Sequence, residues 1–239
     1  MVTNTDILFF AAINKQFTRK ELIVYLKGQK QAVSPNAIWI QLDRLVKSNE
    51  LVRVERGVYG LPSNSQKNFI AIVSDEHKQL SKKIKVQFPF VNYCVWSSKA
   101  IIPYMHHIPN LNYTYVDVER DVAESVFNFL NENNTKRVFL CPDHDDFNRY
   151  VIGTEAIIIR TLVSEAPMRV IDGLNTPSIE KILVDVVGDV EFDFLQGTEI
   201  TYFYRNVAEH HSINKSKLLR YATRRGRRQE VEQLFNSAL

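Results

Sequence analysis

The stretch Val33-Ser34-Pro35-Asn36-Ala37-Ile38-Trp39-Ile40-Gln41-Leu42-Asp43-Arg44-Leu45-Val46-Lys47-Ser48, continued by Asn49-Glu50-Leu51-Val52-Arg53-Val54-Glu55-Arg56-Gly57-Val58-Tyr59-Gly60-Leu61-Pro62, decides how the first quarter of the chain folds. Ser34 is a helix N-cap, Pro35 takes the first helical position where its missing N–H costs nothing, and Val33 can staple onto Ile38. The helix runs to about Ser48. At 100° per residue Ile38, Leu42, Leu45, Val46 and Trp39 share one arc, which reads as core. Asn36, Ala37, Ile40, Arg44 and Lys47 fall opposite, with Gln41 at the rim. Beyond it, the β-branched run Leu51–Glu55, the turn Arg56-Gly57 and the return Val58–Leu61 make a β-hairpin that Pro62 stops.

Two more helices precede this one. Ile7, Phe10, Ala11 and Ile13 recur at helical spacing from Asp6 to about Lys15, with Thr5 as the expected cap. In Phe17-Thr18-Arg19-Lys20-Glu21-Leu22, Thr18 and Glu21 form a capping box and Phe17 can staple onto Leu22, opening a helix that ends near Lys27-Gly28. Three short helices and a basic hairpin predict a winged helix-turn-helix over residues 1–65. Arginine suits guanine, asparagine and glutamine suit adenine, and an exposed apolar side chain meets a thymine methyl. The expected DNA-reading set is therefore Asn36, Ile40, Gln41, Arg44 and Lys47, with Arg53 and Arg56 of the wing on phosphate. Two alternatives stay open. Ile40 packs against the other domain while the cations solvate the helix, or the winged helix serves a protein partner.

Composition sets the outer limits. With 239 residues, 45% of them hydrophobic and 24% charged, the chain has material for two globular domains and too much apolar content for disorder. Cys94 and Cys141 lack zinc or disulfide-scaffold spacing, and no apolar run approaches a membrane span. A reducing cytoplasm is the expected location, with neither export nor a membrane partner. Residues 1–65 hold nine Lys and Arg against five Asp and Glu, and residues 214–239 hold seven against two, whereas 66–213 hold fourteen against twenty. This predicts local anion-binding surfaces at the two ends rather than a chain that coats a polyanion throughout.

The polar run Asn64–Asn68 is a linker, and residues 69–239 are expected to form one α/β domain with a helical tail. Ser74 caps a helix over Asp75–Gln87, strand Val91–Trp96 follows, then a short helix from Ser97 limited by Pro103. Strand Leu111–Val118 leads into a helix over Arg120–Asn131. Further strands at Arg137–Leu140, Ala156–Leu162 and Met168–Ile171 complete a mixed sheet of about five strands. Thr176-Pro177-Ser178 opens a helix that buries the face of Ile179, Ile182, Leu183 and Val186.

Leu42 to Tyr59, Ser178-Ile179-Glu180-Lys181-Ile182-Leu183-Val184-Asp185, and the basic run Lys217 to Arg228 each resemble parts of AbiEi-type antitoxins from bacterial abortive-infection toxin–antitoxin systems, in the expected order. Residues 87–170 carry no matching motif. The resemblance implies a DNA-binding antitoxin that represses its own operon from double-stranded promoter DNA. It also implies a C-terminal domain that counteracts a nucleotidyltransferase-like toxin, directly or through the toxin's target. Arg220, Arg224, Arg225, Arg227 and Arg228 of the tail can neutralise phosphates, bind an acidic partner groove, or pair with the acidic middle of the chain.

The chain lacks a phosphate-binding Gly-x-x-x-x-Gly-Lys loop, a Gly-x-Ser-x-Gly elbow and a His-Glu-x-x-His helix. Asp117-Val118-Glu119 has the spacing of a metal-binding carboxylate pair without the Gly-Ser turn such an enzyme needs, so it reads as surface carboxylates. Asp143-His144-Asp145-Asp146 reads as an acidic loop, and the pairs His106-His107 and His210-His211 lack ligand spacing. The expectation is no enzyme, no metal and no cofactor. The competing readings are a metal-dependent nucleic-acid-processing enzyme using Asp117 and Glu119, and a plain winged-helix transcription factor with a sensor domain.

Overall fold

The computed structural model describes residues 4–14, 16–29, 34–48, 50–55, 57–61, 68–107 and 111–238, the side chains of 5 and 12 excepted. The chain forms two compact units, Met1–Asn68 with Ala208–Lys217, and Phe69–Val207 with Leu218–Leu239.

In the first unit α1 (Asn4–Ile13), β1 (Gln16–Thr18), α2 (Arg19–Gly28), α3 (Pro35–Lys47), β2 (Val52–Glu55) and β3 (Val58–Gly60) follow in order. Thr18 and Glu21 make the expected capping box at α2: the Thr18 amide donates to Glu21 Oε2 at 2.6 Å and the Glu21 amide to Thr18 Oγ at 3.3 Å. At α3, Pro35 takes the first turn and Ser34 holds the cap position without a side-chain hydrogen bond. Val33, the staple partner proposed for Ile38, lies outside the described residues, as do Lys15, Arg56 and most of the linker. The core joins Ile7, Phe10, Phe17, Leu22, Leu26, Ile38, Leu42, Leu45, Leu51 and Tyr59.

Four expectations about this unit need correction. Helix α1 starts at Asn4, so Thr5 sits inside its first turn rather than at the cap; its side chain is outside the described residues. Ile13 is exposed, because Ile7, Phe10 and Ala11 define a narrow stripe from which it is rotated by about 120° at helical periodicity. Trp39 is 55% exposed for the same reason: Ile38, Leu42 and Leu45 fill the buried stripe of α3, and Trp39 shares its rim with the half-buried Val46. Finally, β1 adds a third strand to the wing in the order β1-β3-β2, with Phe17 opposite Tyr59.

The chain continues with α4 (Asp75–Gln87), β4 (Tyr93–Ser97), β5 (Asn112–Val118), α5 (Ala123–Asn133), β6 (Arg137–Leu140), α6 (His144–Asp146), β7 (Glu155–Thr161), β8 (Met168–Ile171), β9 (Leu174–Pro177), α7 (Ile179–Asp185), α8 (Thr198–His210), α9 (Lys215–Arg224) and α10 (Arg228–Ser237), all in the second unit except the end of α8 and the start of α9, which belong with residues 208–217 to the first. The mixed sheet has four strands, in the order β4-β5-β7-β6, with β5, β7 and β6 parallel and β4 antiparallel. Met168–Ile171 is not its fifth strand. Asp172 and Gly173, at φ of 50° and 81°, form a tight two-residue turn that folds β8 onto β9, which takes its hydrogen bonds. The helix expected from Ser97 is two 3₁₀ turns, Ser98–Ala100 and Ile102–Tyr104, with Pro103 near the start of the second, where its ring is tolerated. The expected acidic loop is a helical turn, because the Asp143 carboxylate caps it by accepting from the Asp146 amide at 2.8 Å.

Strand periodicity divides the sheet into two chemically different faces. Tyr93, Val95, Val116, Val118, Ile157 and Ile159 pack with Leu80 and Ile84 of α4 and Val126 and Leu130 of α5, an aliphatic layer. The alternate positions, Trp96, Tyr115, Asp117 and Arg160, face the other way. They meet α7, which is buried all round rather than on the single face that its apolar spacing suggested. Lys181 and Asp185 point into the charged layer, so the helix has no solvent face.

Candidate nucleic-acid interface and a buried charged cluster

On α3, Asn36, Ala37, Ile40, Arg44 and Lys47 are exposed and Gln41 is half-buried. Positions 36, 40, 44 and 47 recur at i, i+4, i+8 and i+11, so the helix presents them on one face. Ile40 is 46% exposed, which leaves its side chain open to an apolar contact such as a thymine methyl. Lys47 makes a surface ion pair with Asp43 at 2.7 Å, a contact weak enough to exchange for a phosphate. Arg53 is exposed on β2, whereas Arg56, the second wing cation, lies outside the described residues. Within the same unit Glu55 pairs with Lys215 at 3.3 Å.

The tail arginines occupy α9, α10 and the turn between them, where Gly226 adopts φ 68°. All five meet acidic groups of their own unit. Arg225 pairs with Asp189 and lies 3.8 Å from Asp185, half-sunk in the structure. Arg224 pairs with Glu165, with Arg220 at 3.6 Å from the same carboxylate. Arg227 reaches Glu230 at 3.8 Å and donates to the Gly188 carbonyl at 3.2 Å, while Arg228 reaches Glu232 at 3.8 Å.

The second unit encloses a charged cluster that sequence reading missed. Asp117 and Arg160 are register partners on adjacent parallel strands, so their side chains emerge together, with Arg160 Nε donating to Asp117 Oδ1 at 2.6 Å. Lys181 Nζ donates to Asp117 Oδ2 and Asp185 Oδ2, each at 2.5 Å. The remaining guanidinium nitrogens of Arg160 reach Asp185 and Asp189 at 3.1 Å. The indole of Trp96 donates to Asp117 at 3.0 Å and the Tyr221 hydroxyl to Asp185 at 3.0 Å. Arg160 also lies 4.7 Å from the Tyr115 ring centroid and 5.3 Å from that of Trp96, which supplies cation–π attraction in a desolvated place.

The electrostatics follow from burial and pairing. Burial alone would raise the Asp117 carboxyl, but the Arg160 and Lys181 charges outweigh it and hold the group well below the usual carboxylate range. Burial opposes the charge on Lys181 and Arg160 too, yet the facing carboxylates raise both. Asp189 and Glu191 behave differently: for them burial wins over the attraction of Arg160, and both carboxyls sit above their ordinary values.

Asp117 is therefore not a surface carboxylate, and it forms no pair with Glu119. Glu119 turns away to accept from the Asn92 amide at 2.6 Å. Among the described residues no three His, Cys, Asp or Glu side chains converge on a point that could hold a metal ion. His106 and His107 give their backbone amides to the Glu199 carboxylate at 2.9 and 3.1 Å. Both cysteines are free, Cys94 buried and Cys141 exposed. One signal could have revealed part of the cluster: the charges at 117 and 160 inside strands of largely apolar residues, which a fold accepts only when they pair.

The first unit has the element order of a winged helix, and its third helix exposes cations, an amide and an apolar side chain on one face. Residues 6–62 match a family described as transcriptional regulator, AbiEi antitoxin, and residues 37–239 match a family of unknown function, DUF6577. The chain belongs to the DUF6577 family, and its residues 6–62 are similar to AbiEi antitoxin regulators. No protein of curated function matches it. None of the described helices is long and apolar enough to cross a membrane.

Proposed function

We propose that the protein is a DNA-binding antitoxin that represses its own toxin–antitoxin operon and counteracts a nucleotidyltransferase-like toxin in the cytoplasm. Residues 1–65 form the DNA-binding domain in this reading and residues 69–239 the antitoxin domain. The exposed mixed face of α3, within the stretch that matches AbiEi antitoxin regulators, is the observation that carries it. Asn36, Ile40, Gln41, Arg44 and Lys47 supply recognition, and Arg53 and Arg56 hold phosphate. Of the tail, Arg220, Arg224, Arg227 and Arg228 keep enough exposure to exchange an acidic partner for phosphate, whereas Arg225 is committed to Asp189. The enclosure of Asp117 between two cations and an indole supports a non-enzymatic role, because three donors already hold its two buried oxygens and both facing charges are positive, which disfavours a catalytic metal there. The test is co-expression: the full chain, and not a variant truncated after residue 68, rescues growth of cells expressing the toxin encoded beside it. Rescue by the truncated chain would remove the antitoxin role from the second unit.

A further inference from the structure

At the carboxyl ends of β6 and β7 the charged cluster opens into a cavity of about 250 Å³, with Cys141 and Thr161 on its rim and Asp185, Asp189, Glu191 and Tyr221 in its wall. Carboxyl ends of parallel strands are where open α/β sheets place ligands. The cluster contains four carboxylates, Asp117, Asp185, Asp189 and Glu191, and three cations, Arg160, Lys181 and Arg225. Three of the carboxylates are ion-paired. Glu191 is not: it is 5% exposed, lines the cavity, and has no ion pair within 4.0 Å among the described residues. Among the described residues the polar group nearest to satisfying its carboxylate is its own backbone amide. A buried carboxylate without a contacting cation is costly, and in this cluster of four carboxylates and three cations it is Glu191, felt by Arg160 only from beyond 4.0 Å, that the cavity reaches.

We propose that this cavity binds one alkylguanidinium or alkylammonium group, with Glu191 as its counter-ion. The cavity volume fits a single arginine-sized side chain, and the Arg160, Lys181 and Arg225 charges facing it exclude a dication. A planar guanidinium matches a carboxylate through two parallel N–H bonds, which makes it the preferred form. The group comes either from an arginine or lysine of a protein partner or from a free small amine. The inference does not depend on DNA recognition by α3.

The experiment titrates the full chain with n-butylguanidinium and with its neutral isostere n-butylurea, followed by calorimetry and by amide shifts of residues 188–191. Expected is 1:1 binding of the cation with a Kd on the order of 1 mM, the range a fragment of that size reaches, and at least about tenfold weaker binding of the urea. Glu191→Gln should lose the cation by a similar factor, while Glu191→Asp retains part of it, which separates a charge effect from misfolding. An N-acetyl-Gly-Arg-Gly-amide peptide that binds tighter than n-butylguanidinium identifies a partner's side chain as the ligand; weaker binding identifies a free amine. Equal affinity for the urea, an unchanged affinity in Glu191→Gln, or no saturable binding would overturn the proposal.

Discussion

Replacing Asp117 by Ala removes the acceptor shared by Arg160 Nε, Lys181 Nζ and Trp96 Nε1. Removing one partner of a buried ion pair costs about 3–5 kcal/mol, because the other charge is left in a low dielectric. The lower half of that range applies here, since Lys181 keeps Asp185 and Arg160 keeps both Asp185 and Asp189. For a unit of this size each kcal/mol moves Tm by roughly 2–4 °C, so Asp117→Ala should melt about 6–16 °C below wild type. Urea denaturation followed by circular dichroism gives the free energy directly, and Lys181→Met closes a double-mutant cycle. The double variant should be destabilised by at least about 1 kcal/mol less than the two single changes together, because it leaves no stranded charge. The pH dependence has a definite sign. The Asp117 carboxyl is depressed in the folded state, so its contribution is present above its unfolded pKa near ~4 and is lost as the pH falls below it. The gap between wild type and Asp117→Asn must therefore narrow on acidification. A loss below about 1 kcal/mol, or additivity within about 0.5 kcal/mol, would refute the cluster as a mutually dependent network.

The other predictions concern sites with distinct physics. The Glu191 carboxyl is raised in the folded state, so its ionisation costs stability as the pH rises through the folded value; Glu191→Gln should raise Tm at pH 7 and leave it unchanged below the unfolded value near ~4.3, as thermal melts across pH will read. Arg225→Gln should destabilise the fold by about 1–3 kcal/mol because it leaves Asp189 with Arg160 alone, whereas Arg228→Gln, an exposed surface pair, should change stability by less than about 0.5 kcal/mol. Measured on duplex DNA, Arg224→Gln with Arg228→Gln should flatten the slope of log affinity against log salt by about 1–2 units without changing base preference; an unchanged slope leaves both arginines to the protein surface. Thr18→Ala breaks the capping box of α2 and should cost about 0.5–2 kcal/mol in a chemical melt.

What the sequence revealed and what it hid follow from the range of the interactions involved. Caps and periodicity are local, so Thr18–Glu21, Ser74 and Pro35 located their helices to within a residue or two, and the hairpin was legible from its β-branched runs and Gly57. Strand β1 is only three residues long and carries no periodic signal; it exists because Phe17 finds Tyr59 across the sheet. The Asp172-Gly173 turn was a local signal that went unread, and with it the separation of β8 from the main sheet. The charged cluster is non-local: Asp117 meets Lys181 across 64 positions, and nothing within a short window says that the isolated charges of β5, β7 and α7 belong to one another. The same holds for Trp39, whose apolar character placed it in the core until three neighbours on α3 proved sufficient to fill it.

The central claim is that α3 reads sequence, and the most direct measurement is the affinity of the full chain for the DNA upstream of its own gene against a shuffled duplex, at one fixed salt concentration, for wild type and Arg44→Ala. Wild type should prefer the upstream DNA by a factor on the order of 10³ or more, and Arg44→Ala should lose about 1–3 kcal/mol there, a factor of roughly 5–150, with little change on the shuffled duplex. Equal wild-type affinity for the two duplexes, or an equal loss on both in Arg44→Ala, would contradict that claim.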